Sequence, residues 1–306
     1  MNIQQLRYIR EVARSGLSVS AAAKKLHTAQ PGISNQIRLL EEELNVHIFE
    51  RGAKRLTGLT SPGRAVLAIA ERILRDMENI RQVGEEFSNE TIGTLSIATT
   101  HTQARYALPP VVKAFTERYP GVSLHMHQGN PAQVTEFVRS GASDIAIATE
   151  TLTSFEDLAT LPCYQWNRCV VAPPGHPVLD ERPLTLEAVA RYPIVTYDSA
   201  FTGRSKINQA FEAHGLEPNV VFTALDSDVI KTYVELGLGI GLLTSMAFDP
   251  ARDTNLRAID AAHLFEPSIT RIGIRRGSYL RGYMYAFIEL FAPHLTREVV
   301  EAAMAG

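Results

Sequence analysis

From residue 92 onward, short β-branched runs alternate with amphipathic stretches. "TLSIATT", "VSLHMHQ" and "DIAIAT" read as strands, with "TQARYALPPVVKAFTERYP" and "PAQVTEFVRSG" between them as helices. After a break the order resumes with "RCVVAPP", "LTLEAVARY", "PIVTYD", "GRSKINQAFEAHG", "NVVFTAL", "SDVIKTYVELG" and "GIGLLT". A strand, "ITRIGIRR", and a helix, "YLRGYMYAFIELFAPHL", close it. Strand-helix alternation predicts parallel sheets covered by helices, and two such runs with a central return predict two α/β lobes and a cleft. Pro109-Pro110 marks either a kink or a late helix start. Ligands of such sheets collect at the carboxyl ends of strands, beside helix amino termini.

The stretch "IATTHTQAR" (97–105) ends a strand in hydroxyls, an imidazole and an amide before its first cation, Arg105. A helix amino terminus offers unsatisfied N–H groups and about half a positive charge, so it holds an anion without Lys or Arg. Thr100, Thr102, Gln103, Thr149 and Thr202 add neutral donors at such positions; the same spacing also fits threonines that only cap helices and end strands. An all-donor cage suits sulfate, which has no proton, whereas phosphate keeps a proton that needs an acceptor, for which Glu150 is a candidate.

The amino-terminal part has a different character. Residues 1–64 hold ten Lys/Arg against five Asp/Glu, a balance of +5 in a chain of net charge −3, leaving −8 on the other 242. A basic head on an acidic body points to a polyanionic partner. "LSVSAAAKKLHTAQPGISNQIRLLEEEL" (17–44) contains two helical patterns. Ser18 or Ser20 caps the first, Thr28 is placed to cap the second, and Pro31 sits in its first turn. Ile33, Ile37, Leu40 and Leu44 form a buried stripe. The opposite face displays Gln30, Ser34, Asn35 and Arg38, side chains that read base edges and hold phosphates. Arg51, Lys54 and Arg55 then surround Gly52 like a basic hairpin wing. This is a helix-turn-helix arrangement for double-stranded DNA.

"SPGRAVLAIAERILRDMENIRQVGEEF" (61–87) places Val66, Ala70, Ile73, Met77, Ile80, Gly84 and Phe87 at alternating spacings of four and three. The seam fits pairing with a second copy, or an amphipathic helix lying on its own domain.

Other signals are weak. "GLGIG" (237–241) enters an apolar strand instead of leaving one for a helix. His125 and His127 share a strand face without a third ligand nearby. Cys163 and Cys169, the only cysteines, lack metal spacing and argue for a reducing, cytoplasmic compartment. No apolar run approaches the roughly 18 residues of a membrane span, and the amino terminus has no signal-peptide core. No nucleophile elbow, zinc-protease or Walker sequence occurs, so no enzyme, cofactor or metal is expected.

"AAKKLHTAQPGISNQIRLLEEELNVHIFER…LT" resembles the winged helix-turn-helix of LysR-type transcriptional regulators. "IATTHTQARYALP", "HMHQG", "DIAIATE", "LPCYQWNR", "FTGRS" and "DVIKTYVELGLGIGLLTSMAFDP" extend the resemblance, from about residue 2 to 304, to the family's regulators of sulfur assimilation and cysteine biosynthesis. The resemblance implies an α/β chain with a winged helix-turn-helix (1–59), a dimerisation helix (60–89) and a two-lobed, periplasmic-binding-protein-like effector domain with two α/β sheets (90–306). Lobe I would take about 90–163 and 268–306, and lobe II about 164–267. It implies DNA contacts by Ser18, Thr28, Gln30, Pro31, Ser34, Asn35, Arg38, Arg51, Lys54 and Arg55. Sulfate would be bound by Thr100, Thr102, Gln103, Thr149 and Thr202, with Trp166 at the mouth. The effectors would be N-acetylserine, formed from O-acetylserine, opposed by sulfide and thiosulfate. The partners would be promoter DNA, a homodimer or homotetramer, and RNA polymerase. A regulator of sulfonate or sulfate-starvation genes, a cytoplasmic solute-binding protein and an acyl-serine enzyme are the alternatives.

Overall fold

The computed structural model describes residues 1–52, 55–88, 91–199 and 202–305; at Ser88, Glu150, Thr202 and Gly203 it describes the backbone alone. Two compact units are present, Met1–Gly84 with Gly277–Tyr279, and Glu85–Arg276 with Leu280–Gly306.

The first unit begins with α1 (Ile3–Arg14), started by a reciprocal capping box between Asn2 and Gln5. Ser18 caps α2 (Val19–Lys25), accepting the Ala21 N–H at 3.2 Å. Thr28 does not cap α3 (Gln30–Leu44): the helix starts later than its sequence pattern suggests, and the cap position falls on Ala29, which has no side-chain acceptor. Pro31 occupies the first turn, where a missing N–H is harmless. Ile33, Ile37 and Leu40 are buried against Leu6, Ile9, Val12, Ala22 and Ala23. Leu44, expected in that stripe, is exposed, because Asn45 at φ 52° ends the helix there in a left-handed turn. β1 (Phe49–Arg51) and β2 (Leu56–Leu59) pair antiparallel as a hairpin.

α4 (Ser61–Ser88) divides the expected seam in two. Ala70, with Val66 and Ile73, packs on the core of the first unit, as does Leu74. Further along, Ile80 and Phe87 are 72% and 86% exposed, apolar side chains left to solvent by a single chain.

The second unit holds two five-stranded sheets. The first comprises β3 (Ile92–Thr99), β4 (Gly121–Gln128), β5 (Ile145–Ala148), β6 (Leu158–Trp166) and β12 (Ser268–Arg275), in the order β4-β3-β5-β12-β6. The second comprises β7 (Arg168–Ala172), β8 (Ile194–Tyr197), β9 (Val220–Ala224), β10 (Ile240–Thr244) and β11 (Arg257–Asp260), in the order β11-β7-β10-β8-β9. The expected parallel sheets are in fact mixed. β3 is parallel to β4 and β5, and β8 to β9 and β10, with α5 (Leu108–Arg118), α6 (Pro131–Ser140), α8 (Thr202–Ala213) and α9 (Ser227–Glu235) as crossovers. β12 runs antiparallel to β5 and β6, and β7 to β10 and β11. β6 passes straight into β7 through Asn167, and β12 brings the chain back, so these strands carry no crossover helix to make them parallel.

Pro109 falls in the first turn of α5, behind a π-helical turn (Gln103–Ala107): a late start. α7 (Leu186–Ala190) and α10 (Gly282–Phe291) appear where the pattern puts them, whereas α11 (Arg297–Ala305) was not anticipated; its Val300 is buried in the lobe I core. Among the described residues no helix is long and apolar enough to cross a membrane.

"GLGIG" serves packing. Gly239 adopts φ 151°, and a Cβ there would lie 2.1 Å from the Pro193 carbonyl, which accepts the Ile240 N–H at 2.8 Å. Gly239→Ala is therefore expected to destabilise the second unit by about 1–3 kcal/mol. Urea unfolding with an unchanged midpoint would refute this close approach.

Candidate nucleic-acid interface and ligand cleft

On α3, Gln30, Pro31, Asn35 and Arg38 are exposed and Ser34 is half-buried, all opposite the apolar stripe. Arg38 pairs with Glu42 and donates to Asn35 Oδ1 at 2.9 Å. Exposed pairs of this kind are worth under about 1 kcal/mol, so Glu42 does little to hold the Arg38 guanidinium from another anionic partner. Ser18 and Thr28 are exposed at the helix boundaries.

The wing is braced from below. Glu41, 5% exposed, accepts the Ile48 and Phe49 N–H groups at 2.8 and 3.2 Å, and Arg51 at 2.7 Å. Burial alone would push the Glu41 carboxyl up, but the Arg51 guanidinium and the two N–H groups outweigh it and hold it below 4.5. Arg55 is exposed, and its carbonyl closes the hairpin by accepting the Gly52 N–H at 2.8 Å. Lys54 lies outside the described residues.

In the second unit Thr100 and Thr149 directly follow strands, whereas Thr102 and Thr202 stand at helix starts. Thr100 follows β3, is 8% exposed, and its carbonyl accepts the Ala104 N–H at 3.1 Å to start the helical turn. Thr102 and Thr149 make no side-chain cap bonds, so capping does not account for them. Burial pushes the Tyr197 hydroxyl on lobe II up, while Ser227, the Thr244 N–H and the neighbouring Thr102 side chain pull it down. Gln103 is 2% exposed; its Nε2 donates to Thr270 Oγ1 at 3.1 Å and its Oε1 accepts from the Tyr164 hydroxyl. Thr149 follows β5 and is half-buried. Thr202 opens α8, its side chain outside the described residues. Trp166 ends β6, with its Nε1 enclosed and lacking an acceptor. A cavity of about 560 Å³ at this crossing is lined by Tyr164, Trp166, Asn167, Ser245, Met246 and Pro267.

Several groups escaped the sequence reading. Arg204, in the first turn of α8, keeps an enclosed Nη1 without an acceptor while its Nε donates to Asn208 at 2.8 Å. Thr244 is 1% exposed with an unpartnered hydroxyl, and Asn167 Oδ1 is an enclosed acceptor without a donor. Between the lobes, Tyr106 donates to Asp228 at 2.5 Å and Arg105 lies 3.4 Å from that carboxylate; within lobe II, Lys231 bonds Asp253 at 2.9 Å. Burial, with help from Asp228, pushes the Tyr106 hydroxyl up to about 12. The one available signal was Lys231, a charge beside Ile230 on the apolar face of "DVIKTYVELG". His101, Asp226 and Asp228 also approach within 4.8 Å of one another, but Asp228 already faces Arg105 and Lys231. Burial pushes the thiols of Cys163 and Cys169 up to about 12, which leaves them unreactive. His125 and His127 are exposed, the latter stacked on Phe137.

Residues 3–64 match the family model described as a bacterial regulatory helix-turn-helix protein of the lysR family, and residues 88–296 match the LysR substrate binding domain. The chain belongs to the LysR family of DNA-binding transcriptional regulators. It is 53% identical to the HTH-type transcriptional regulator SsuR of Burkholderia cenocepacia and 48% identical to CysB of the same organism, in each case over the whole chain and 98% of the relative. Its fold is similar to the crystal structure of the cofactor-binding domain of the Cbl transcriptional regulator, with TM-score 0.68 and 42% identity, covering 71% of this chain and 95% of that one. The family and these relatives are regulators, not enzymes.

In this regulator the Glu41 brace has a pH signature. A carboxyl held below its unfolded value of 4.5 stabilises fully above that value, and the contribution is lost as pH falls through the folded one. Glu41→Gln is expected to lower stability near neutrality by about 1–2 kcal/mol and to flatten this acid dependence. Thermal melts that stay parallel to wild type from neutral to acid pH would exclude the brace.

Proposed function

We propose that this regulator activates genes of sulfur assimilation and cysteine biosynthesis in the cytoplasm, and that its inter-lobe cleft takes a small sulfur oxoanion. The observation that carries the reading is the supply of enclosed donors with nothing to bond. Trp166 Nε1, at the end of β6, and Arg204 Nη1, in the first turn of α8, are enclosed without acceptors, and Thr100 and Gln103, after β3, are buried. Each hydrogen bond to a charged acceptor is worth about 1.5–3 kcal/mol, so Thr100, Thr102, Gln103, Thr149 and Thr202 together offset much of the desolvation of a dianion. Sulfate and thiosulfate fit this chemistry, and N-acetylserine or O-acetylserine brings a carboxylate or ester oxygens to the same donors.

Regulation follows from linkage. A ligand that binds one lobe arrangement better than another shifts the population by its differential affinity, typically about 1–3 kcal/mol. The exposed apolar half of α4, with Ile80 and Phe87, is the surface on which a second copy pairs, and pairs of dimers form a homotetramer on promoter DNA. The bound state then changes half-site spacing or DNA bend, and with it the engagement of RNA polymerase. The higher identity to SsuR than to CysB, 53% against 48%, favours a second reading, a paralogue serving sulfonate or sulfate-starvation genes.

Thr100→Ala is expected to weaken sulfate binding at least about tenfold in calorimetry while leaving promoter affinity without ligand unchanged. Wild-type sulfate affinity would remove Thr100 from the site. Arg38→Ala is expected to weaken promoter binding by about 1–3 kcal/mol at fixed salt; an unaltered gel-shift titration would reject its place at the interface.

A further inference from the structure

Gln103 is not simply a donor aimed at a cleft. Its amide is held at both ends by side chains on neighbouring strands, Tyr164 on β6 and Thr270 on β12, which are cross-strand partners. Tyr164 donates its hydroxyl to Gln103 Oε1, and Gln103 Nε2 donates to Thr270 Oγ1 at 3.1 Å. Thr270 is fully buried, and the Tyr164 ring packs 5.8 Å from the Phe291 ring. Burial pushes the Tyr164 hydroxyl pKa up, so it stays a protonated donor. A phenol donates strongly and accepts poorly, because its oxygen lone pair is delocalised into the ring, while an alcohol accepts well. Phenol on the carbonyl and alcohol on the N–H is therefore the better of the two amide orientations. It commits the Gln103 carbonyl to Tyr164 and leaves the second Nε2 hydrogen as the amide's uncommitted group.

We propose that Tyr164 is a positioning residue that makes the cleft selective for fully deprotonated oxoanions by fixing which end of the Gln103 amide the ligand meets. The proposal rests on the reading of the cleft as an oxoanion site. Sulfate has no proton to donate, whereas hydrogenphosphate, of the same shape and charge, carries one that needs an acceptor. With the carbonyl committed, the Gln103 amide offers it none. Without the phenol hydroxyl the two orientations lose their difference, and the amide is free to turn its carbonyl toward a protonated ligand.

The test is calorimetry of the full chain with sulfate and with inorganic phosphate at mildly alkaline pH, for wild type, Tyr164→Phe, Thr270→Val and Gln103→Ala. Tyr164→Phe keeps the ring packing and removes only the hydroxyl. We expect its ratio of sulfate to phosphate affinity to fall at least about tenfold, and Thr270→Val, which frees the other end of the amide, to move the ratio in the same direction. A purely structural loss lowers both affinities alike, so an unchanged ratio in both variants overturns the proposal. If wild type binds sulfate and Gln103→Ala does not, that failure leaves the cleft reading standing. If Gln103→Ala binds sulfate normally, the proposal fails while the cleft reading stands; if wild type binds no sulfate, both fail.

Discussion

The effector unit depends on one buried cation. Arg168, 1% exposed, stands where the chain first crosses from one sheet to the other, and its guanidinium reaches the segment that crosses back. It donates to the Glu266 carbonyl at 2.9 Å and to Ser268 Oγ at 3.2 Å, with the rings of Trp166 and Phe265 5.4 and 5.7 Å away. A buried charge costs several kcal/mol unless its donors are satisfied, so the two crossings are bound to each other as the condition for burying it. The same bond fixes Trp166 at the end of β6 and Ser268 at the start of β12. From there the register of Tyr164 opposite Thr270 follows, and with it the grip on Gln103.

That frame explains how a site poor in formal charge forms at all. Thr100 and Gln103 are positioned by β3, which lies parallel to β4 and β5 and so ends at the same edge as both. Neutral donors tolerate burial only when their other bonds are made. Gln103 meets this through Tyr164 and Thr270, and Thr99 by donating to the Ile147 carbonyl at 3.0 Å. Donors still enclosed without an acceptor, on Trp166 and Arg204, are then the groups whose desolvation the proposed anion would relieve.

Legibility in the sequence followed the range of the interaction. Local periodicity gave α3 its buried face and its polar face, and Pro31 marked its first turn. The cap at Thr28 and the burial of Leu44 failed because both depend on where the helix ends, and periodicity places ends poorly. Strand-helix alternation revealed two sheets and their crossovers, but strand direction at β7 and β12 is set by how the chain crosses between lobes, which composition does not encode. The threonines were visible as hydroxyls at strand ends. The Gln103–Tyr164–Thr270 network was not, since its members lie 61 and 167 residues from Gln103. Lys231 is the intermediate case: its charge on an apolar face was visible, while Asp253, 22 residues away, was not.

The turn that carries the candidate ligand residues also carries the bonds between lobes. Thr102 approaches the Tyr197 hydroxyl, which bonds Ser227 at 2.7 Å and accepts the Thr244 N–H at 3.3 Å. One helical turn on, Tyr106 holds Asp228, beside which Lys231 is locked to Asp253. On the proposed reading, an anion held by Thr100 and Gln103 would sit between the strand end of lobe I and these contacts with lobe II. Any displacement of this turn on binding would lengthen or shorten those contacts, and a tie to a charged partner such as Tyr106 to Asp228, worth about 1.5–3 kcal/mol, matches the size of ordinary allosteric couplings. Trp166 at the end of β6 and Arg204 in the first turn of α8 belong to other elements, so on the proposed reading the ligand's net effect on the lobes would be a difference between the bonds it makes and the ones it shifts. Binding strength alone then does not set the response, because a ligand that grips both lobe arrangements equally moves nothing.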